Sequence, residues 1–282
     1  MQGRKTLSIK ASKVWRMAGD VFLAVCAILW LFPFYWGLVG SFKTERAMFA
    51  IPPEFLPLNP TLVNYIELLR KTHVARWFFN SAVVSVATMV LVCAISSLAG
   101  YAFAKLRFRG RDLIFYLMIS TMMLPRYVLL VPLFRLMLKL NWFDTYAGLI
   151  IPQIAAPFGV FMMRQFIKTI PSELIEAARI DGCSEAGVFV KIILPLAKPA
   201  VGALAIFEFV RSWDDYMWQL IIAGSEMMKT LPIGIAALKQ ENLVQYGQMM
   251  AGATLSALPM IIIFVAFQRY FTRGITLGAV KG

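Results

Sequence analysis

The 282 residues contain one histidine, His73, and three cysteines, Cys26, Cys93 and Cys183. A haem or catalytic metal centre in a membrane needs buried histidines as ligands, and one imidazole cannot supply them. No H-E-x-x-H segment occurs, so the residues that define a zinc hydrolase helix are missing too. The cysteines are far apart and two of them lie inside apolar runs, which gives no disulfide framework. There is no G-x-x-x-x-G-K-[ST] segment, so the chain lacks the phosphate loop with which it could bind a nucleotide itself. Acidic residues are also scarce: 15, against 28 lysines and arginines, leaving a net charge of +13. Internal repeats and low-complexity segments are absent.

What is abundant is apolar. Hydrophobic residues make up 60% of the chain and mean hydropathy is +0.71. That composition excludes a soluble globular domain and specifies a polytopic membrane protein. Charge-poor runs predict six spans, over residues 21–40, 77–104, 113–138, 146–163, 192–223 and 248–268, each near the ~20 residues that cross a bilayer. In a soluble protein the basic excess would suggest nucleic acid; here the basic side chains flank apolar spans, and no nucleic-acid partner is expected. The N-terminal MQGRKTLSIKASKVWR is basic, but a full-length span without a small-residue cleavage site follows it, so it reads as a retained first span. With the N-terminus in the cytoplasm, seventeen lysines and arginines fall in cytoplasmic segments and nine in external ones, with Arg126 and Arg211 inside spans. The bias predicts both termini inside. The expected layout is a cytoplasmic segment over 1–20, one six-span membrane domain over 21–272 and a cytoplasmic tail over 273–282.

Between the fourth and fifth spans lies the longest polar passage with membrane-length apolar sequence on both sides: PSELIEAARIDGCSEAGVFVKIILP, residues 171–195. Ser172 can cap a short helix starting at Glu173. Leu174, Ile175, Ala177, Ala178 and Ile180 give that helix an apolar side. Gly182 can stop it, because glycine takes the left-handed conformation without steric cost. Ser184 or Asp181 can cap a second helix.

Glu176-Ala177-Ala178, Gly182 four residues on, and Ile192-Ile193-Leu194-Pro195 after nine more resemble the signature loop of permease subunits in binding-protein-dependent ABC importers. The likeness extends over VFMMRQFIKTIPSELIEAARIDGC, SWDDYMWQLI and the terminal SALPMIIIFVAFQRYFTRGITLGAVKG. It is that of the carbohydrate group, the maltose-type permeases, and is similar to the second permease of arabino-oligosaccharide importers. The resemblance implies an all-α fold with six transmembrane helices and a cytoplasmic coupling helix in a bacterial inner membrane. It implies that the chain is not an enzyme and carries no cofactor, with ATP and magnesium on a partner. The partners implied are a second permease in a heterodimer, two ATPase subunits, an extracellular solute-binding protein, membrane lipid, and a sugar or oligosaccharide solute. Glu176, Ala177, Ala178, Asp181 and Gly182 would dock the ATPase, and the tail residues Gly278 and Lys281 would reach between the ATPase subunits. Where the family usually has Trp-Asn this chain has Trp213-Asp214, and where proline is common it has Gln219. Both departures bear on the solute rather than on the transport class.

An ionisable group at bilayer depth costs at least ~2.5 kcal/mol on insertion scales and should face a partner or a water-filled cavity. Arg126 in the third span, and Glu208, Arg211, Asp214 and Asp215 in the fifth, are such groups. Helical spacing puts Glu208, Ser212 and Asp215 on one face and lets Arg211 reach Glu208, Asp214 or Asp215. Trp213, Tyr216 and Trp218 surround them. Aromatic faces beside carboxylates suit a polyhydroxylated solute, which makes Arg126, Glu208, Arg211, Trp213, Asp214, Asp215 and Tyr216 candidates for a translocation path. The same residues could instead neutralise one another and hold two helices together. A sugar permease is the leading reading. A permease of the same architecture for a non-sugar solute such as glycerol phosphate or a polyamine is the second. A membrane-embedded enzyme such as a lipid-linked glycosyltransferase is the third, and the loops, with only scattered glutamates, lack the acidic or metal-binding constellation it would need.

Overall fold

The computed structural model describes residues 2–238 and 245–279, with side chains over 15–238 and 245–267. Among the described residues every regular element is helical. Three helices are long and apolar enough to cross a membrane unbroken: Trp15–Ser41, Val74–Lys105 and Tyr246–Phe267. Three further spans are each broken into two helices, and together these make six.

The breaks have local causes. The third span, Arg111–Met123 followed by Arg126–Lys139, bends by 95°. Pro125 lacks an N–H, and its ring drives the preceding residue out of the helical region; Leu124 accordingly has ψ 128°. The fourth, Tyr146–Ile154 and Pro157–Lys168, bends by 44°, and Pro157 occupies the start of the second half, where no N–H is needed. The fifth differs most from a continuous span over 192–223. Helix Glu185–Leu196 passes through a π-helical turn at Phe189–Ile193. A 77° bend follows before Lys198–Trp213. That helix ends at Asp214, and a short helix, Met217–Ile222, follows. Asp215 therefore lies in a break and not on the helix that carries Glu208 and Ser212.

The chain forms two compact units, residues 1–72 with 238–255, and residues 73–237 with 256–282. In the first, the proline-rich loop after the first span is ordered by Asn64. This buried side chain donates to the carbonyls of Ser41 at 2.9 Å and Lys43 at 2.7 Å. Gly247 packs on Asn64 where a Cβ would collide with the amide, and Gln248 donates to Glu67 at 2.8 Å. Lys71, one turn along, donates to Glu67 as well and holds its carboxyl below the usual value.

In the second unit the Val74–Lys105 helix is the central post. Its N-terminal end holds the connection after the fifth span. Trp77 Nε1 donates to the Glu226 carbonyl at 3.0 Å, Asn80 to those of Met227 and Lys229 at 2.8 and 2.7 Å, and Ser81 Oγ accepts from Leu231 N. Its other end packs against Pro157–Lys168 so closely that a Cβ on Gly100 would lie 2.7 Å from Met163 Cβ and 2.9 Å from the Arg164 nitrogen. Arg164 is buried there. Its guanidinium sits 3.7 Å above the Phe115 ring, and its Nε donates to the Phe103 carbonyl. One side chain thus ties the ends of the second and fourth spans to the start of the third.

Candidate functional site

Two places carry the candidate residues. The first is the hairpin between the fourth and fifth spans. Its first helix is Ser172–Ile180, and Pro171 rather than Ser172 stands at the cap position, without a side-chain bond. Ser172 Oγ instead accepts from Lys105 Nζ at 3.3 Å. Gly182 has φ +81°, and its missing Cβ would point into open space. The second helix is capped by Ser184, whose Oγ accepts from Gly187 N at 3.2 Å.

The hairpin is fastened to the spans on one face only. Ile175, Ala178 and Val188 are buried in a core with Tyr101, Met163, Ile167 and Leu204. Tyr101 OH donates to Glu185 Oε2 at 2.7 Å, and Arg179 Nε donates to Glu185 Oε1 at 2.8 Å. That bond is the main reason the Arg179 guanidinium is held above its ordinary value. A cleft of about 620 Å³, bordered by Lys105, Arg107, Glu176 and Arg179, lies between the hairpin and the end of the second span. Glu176, Ala177 and Asp181 face outward, whereas Ala178 points into the core. The apolar side expected from the sequence is narrower than five residues: Ala177 is exposed and Ile180 is 86% exposed. Residue type, not spacing, assigned Ile180 inward; at about 100° per residue it lies roughly 200° round from Ala178, on the outer face.

The second place is the group of intramembrane charges. Arg126 Nη2 lies 2.7 Å from Asp215 Oδ2. Arg211 reaches Glu208 Oε2 with Nε at 2.7 Å and Nη2 at 2.6 Å. Glu208 and Asp215 are 1% and 5% exposed at the side chain, Arg126 50%. Each buried carboxylate is therefore paired with an arginine that is the more open partner. Asp214 and Tyr216 are exposed. Trp213 is buried between Phe78 and Phe209, with Nε1 donating to the Ser256 carbonyl at 3.0 Å. Gln219 is buried too; it donates to the Ser212 carbonyl and accepts from Thr230. The ion pair of Arg126 and Asp215 borders a cavity of about 50 Å³ with Gln153 and Trp218. That volume admits water, not a sugar ring. Gln153, which spacing did not single out, is buried with Oε1 unbonded, and its carbonyl accepts from Arg211 at 3.4 Å.

Among the described residues no group of three or more histidine, cysteine, aspartate or glutamate side chains could hold a metal ion. Lys281 lies outside the described residues, and of Gly278 only the helical backbone is described.

The structure thus sets an exposed hairpin on helices of which three pairs are sharply bent, with paired charges among them. Residues 94–277 match the family of binding-protein-dependent transport system inner membrane components, and the chain belongs to that family. It is 39% identical to the arabinooligosaccharides transport system permease protein AraQ of Bacillus subtilis over 273 residues, 95% of this chain and 97% of that one. It is 33% identical to the trehalose/maltose transport system permease protein MalG of Thermococcus litoralis, over 91% of this chain and 93% of that one. In fold it is similar to a chain of a bacterial ABC transporter that imports the acidic polysaccharide alginate, with a TM-score of 0.81 at 23% identity, covering 93% of this chain and 98% of the other.

Proposed function

We propose that this permease is one half of the translocation path of an ATP-driven importer for a sugar or oligosaccharide. The observation that carries the solute class is kinship along nearly the whole chain with permeases named for arabino-oligosaccharides and for trehalose and maltose. A second permease completes the path as a heterodimer. Two ATPase subunits bind ATP and magnesium, and an extracellular solute-binding protein delivers the solute. The termini face the cytoplasm, since basic residues concentrate in the segments on that side. The 21–272 region acts as one membrane domain.

The exposed face of the 171–195 hairpin, with Glu176, Ala177, Asp181 and Gly182, supports docking of an ATPase subunit. Ala178 contributes from the inner side by keeping the helix close to its own core. Gly278 and Lys281 contact the ATPase subunits. Arg126, Glu208, Arg211, Asp214, Asp215 and Tyr216 border the path, and Trp213 supports it from within the packing.

The test is uptake by membrane vesicles carrying the complete importer, using radiolabelled pentose and hexose oligosaccharides with glycerol phosphate alongside. ATP-dependent accumulation of an oligosaccharide is the expected result. Accumulation of glycerol phosphate alone would overturn the solute class while leaving the permease role intact.

A further inference from the structure

A second cleft, of about 520 Å³, runs beside the Lys198–Trp213 helix, away from the paired charges. Its walls are apolar side chains from three spans: Met89 from the second, Val201 and Ile206 from the fifth, and Ile263 from the sixth. Gly202 and Ala205, one turn apart on the fifth span, leave the floor without bulk. Only one bordering residue is charged, Lys198. It stands four residues before Gly202, on the same helix face. Its side chain is exposed, and no ion-pair partner for it is found among the described residues.

The chemistry of such a cleft is restrictive. Apolar walls give water no hydrogen-bond partners, so water gains little by filling it. A sugar would leave its hydroxyls unbonded there, at a cost for each. An alkyl chain loses nothing. A lysine at the rim of an apolar slot in a membrane attracts a phosphate at headgroup depth, each such cation being worth about 1 kcal/mol toward an anionic surface. We infer that this cleft binds one acyl chain of an anionic phospholipid, with Lys198 holding its phosphate. Lys198 is the first residue after the 77° bend, so the bound headgroup sits where the coupling hairpin joins the span.

The complete importer, purified in mild detergent, is examined by native mass spectrometry with lipid extraction. The expected result is an anionic phospholipid retained with the intact assembly. Lys198→Glu should lower that retention about fivefold or more, from the loss and reversal of one such cation. Gly202→Leu should lower it by filling the floor, and Lys198→Gln gives the charge test where the leucine variant fails to assemble. Adding phosphatidylglycerol should raise the melting temperature of the wild-type importer and not of Lys198→Glu. Inorganic phosphate or glycerol phosphate should raise neither, which separates a lipid from a free phosphate. Equal retention by wild type and both lysine variants overturns the inference. So does disulfide crosslinking of Ala205→Cys to a cysteine on the second permease in native membranes, because a protein helix would then fill the cleft.

Discussion

Arg126 and Asp215 are 89 residues apart in sequence and meet at 2.7 Å. The arginine enters from the break in the third span, the aspartate from the break in the fifth. Arg126 opens the 3-10 turn that follows Pro125 and Asp215 lies between two helices, so both side chains stand at helix ends.

The two members of this pair differ in burial, which makes their removal unequal. Arg126→Gln leaves a carboxylate that is 5% exposed with only the long bond from Trp218 N, at 3.4 Å; an under-satisfied buried group of this kind costs about 1–3 kcal/mol. Asp215→Asn leaves an arginine that is half exposed and can turn to water. Arg126→Gln is therefore the more destabilising, and the double variant should recover much of its loss. Thermal unfolding of the purified importer checks the order. Asp215→Asn more damaging than Arg126→Gln would refute it.

Gly182 separates backbone from packing. Its φ is +81°, but nothing stands where a Cβ would go. Gly182→Leu should cost roughly 1–2 kcal/mol through the left-handed backbone alone, and Gly182→Asn distinctly less, since asparagine tolerates that region. Solute-stimulated ATP hydrolysis should fall in the leucine variant and largely survive in the asparagine one. Equal activities would rule out a conformational role for this glycine.

Ile180 is 86% exposed on the outward face of the hairpin. Ile180→Asp removes no internal packing, so the permease should fold and insert normally. It should nonetheless lose the co-purifying ATPase subunits, if that face is buried in the assembly. Full co-purification would place the docking surface elsewhere.

At Gly100 the second and fourth spans nearly touch. A Cβ there lies within 2.9 Å of backbone that cannot yield by a rotamer change. Gly100→Ala should destabilise by about 1–3 kcal/mol, as overpacking does. The check is the amount of folded permease after a heat step, with Gly110→Ala, whose Cβ has only a distant neighbour, expected to show backbone strain without a clash.

The six spans and the hairpin were legible because their signals are local. Charge-poor runs set length, and Glu176-Ala177-Ala178 with Gly182 sets the turn. The pairing was not. Helical spacing allowed Arg211 three carboxylates, and it uses Glu208. It could not show that the helix ends at Asp214, so Asp215 was carried along a face it does not share. Arg164 gave no signal either; it sits three residues past Phe161 in a span end like any other basic residue, and its place over Phe115 depends on three spans coming together. Long-range contacts of this kind have no sequence period to betray them.

The bend at Ala197 has a mechanical consequence. On one side lies the hairpin; on the other lies a helix of 16 residues that starts in the hairpin's own core, through Ala200 and Leu204, and ends beside Asp215. At 1.5 Å per residue that helix is a lever arm of about 24 Å, so a swing of about 10° about Ala197 carries its far end roughly 4 Å. A displacement of that size is larger than the 2.7 Å that joins Arg126 to Asp215, so under such a swing the pair would hold only if Arg126 followed the aspartate.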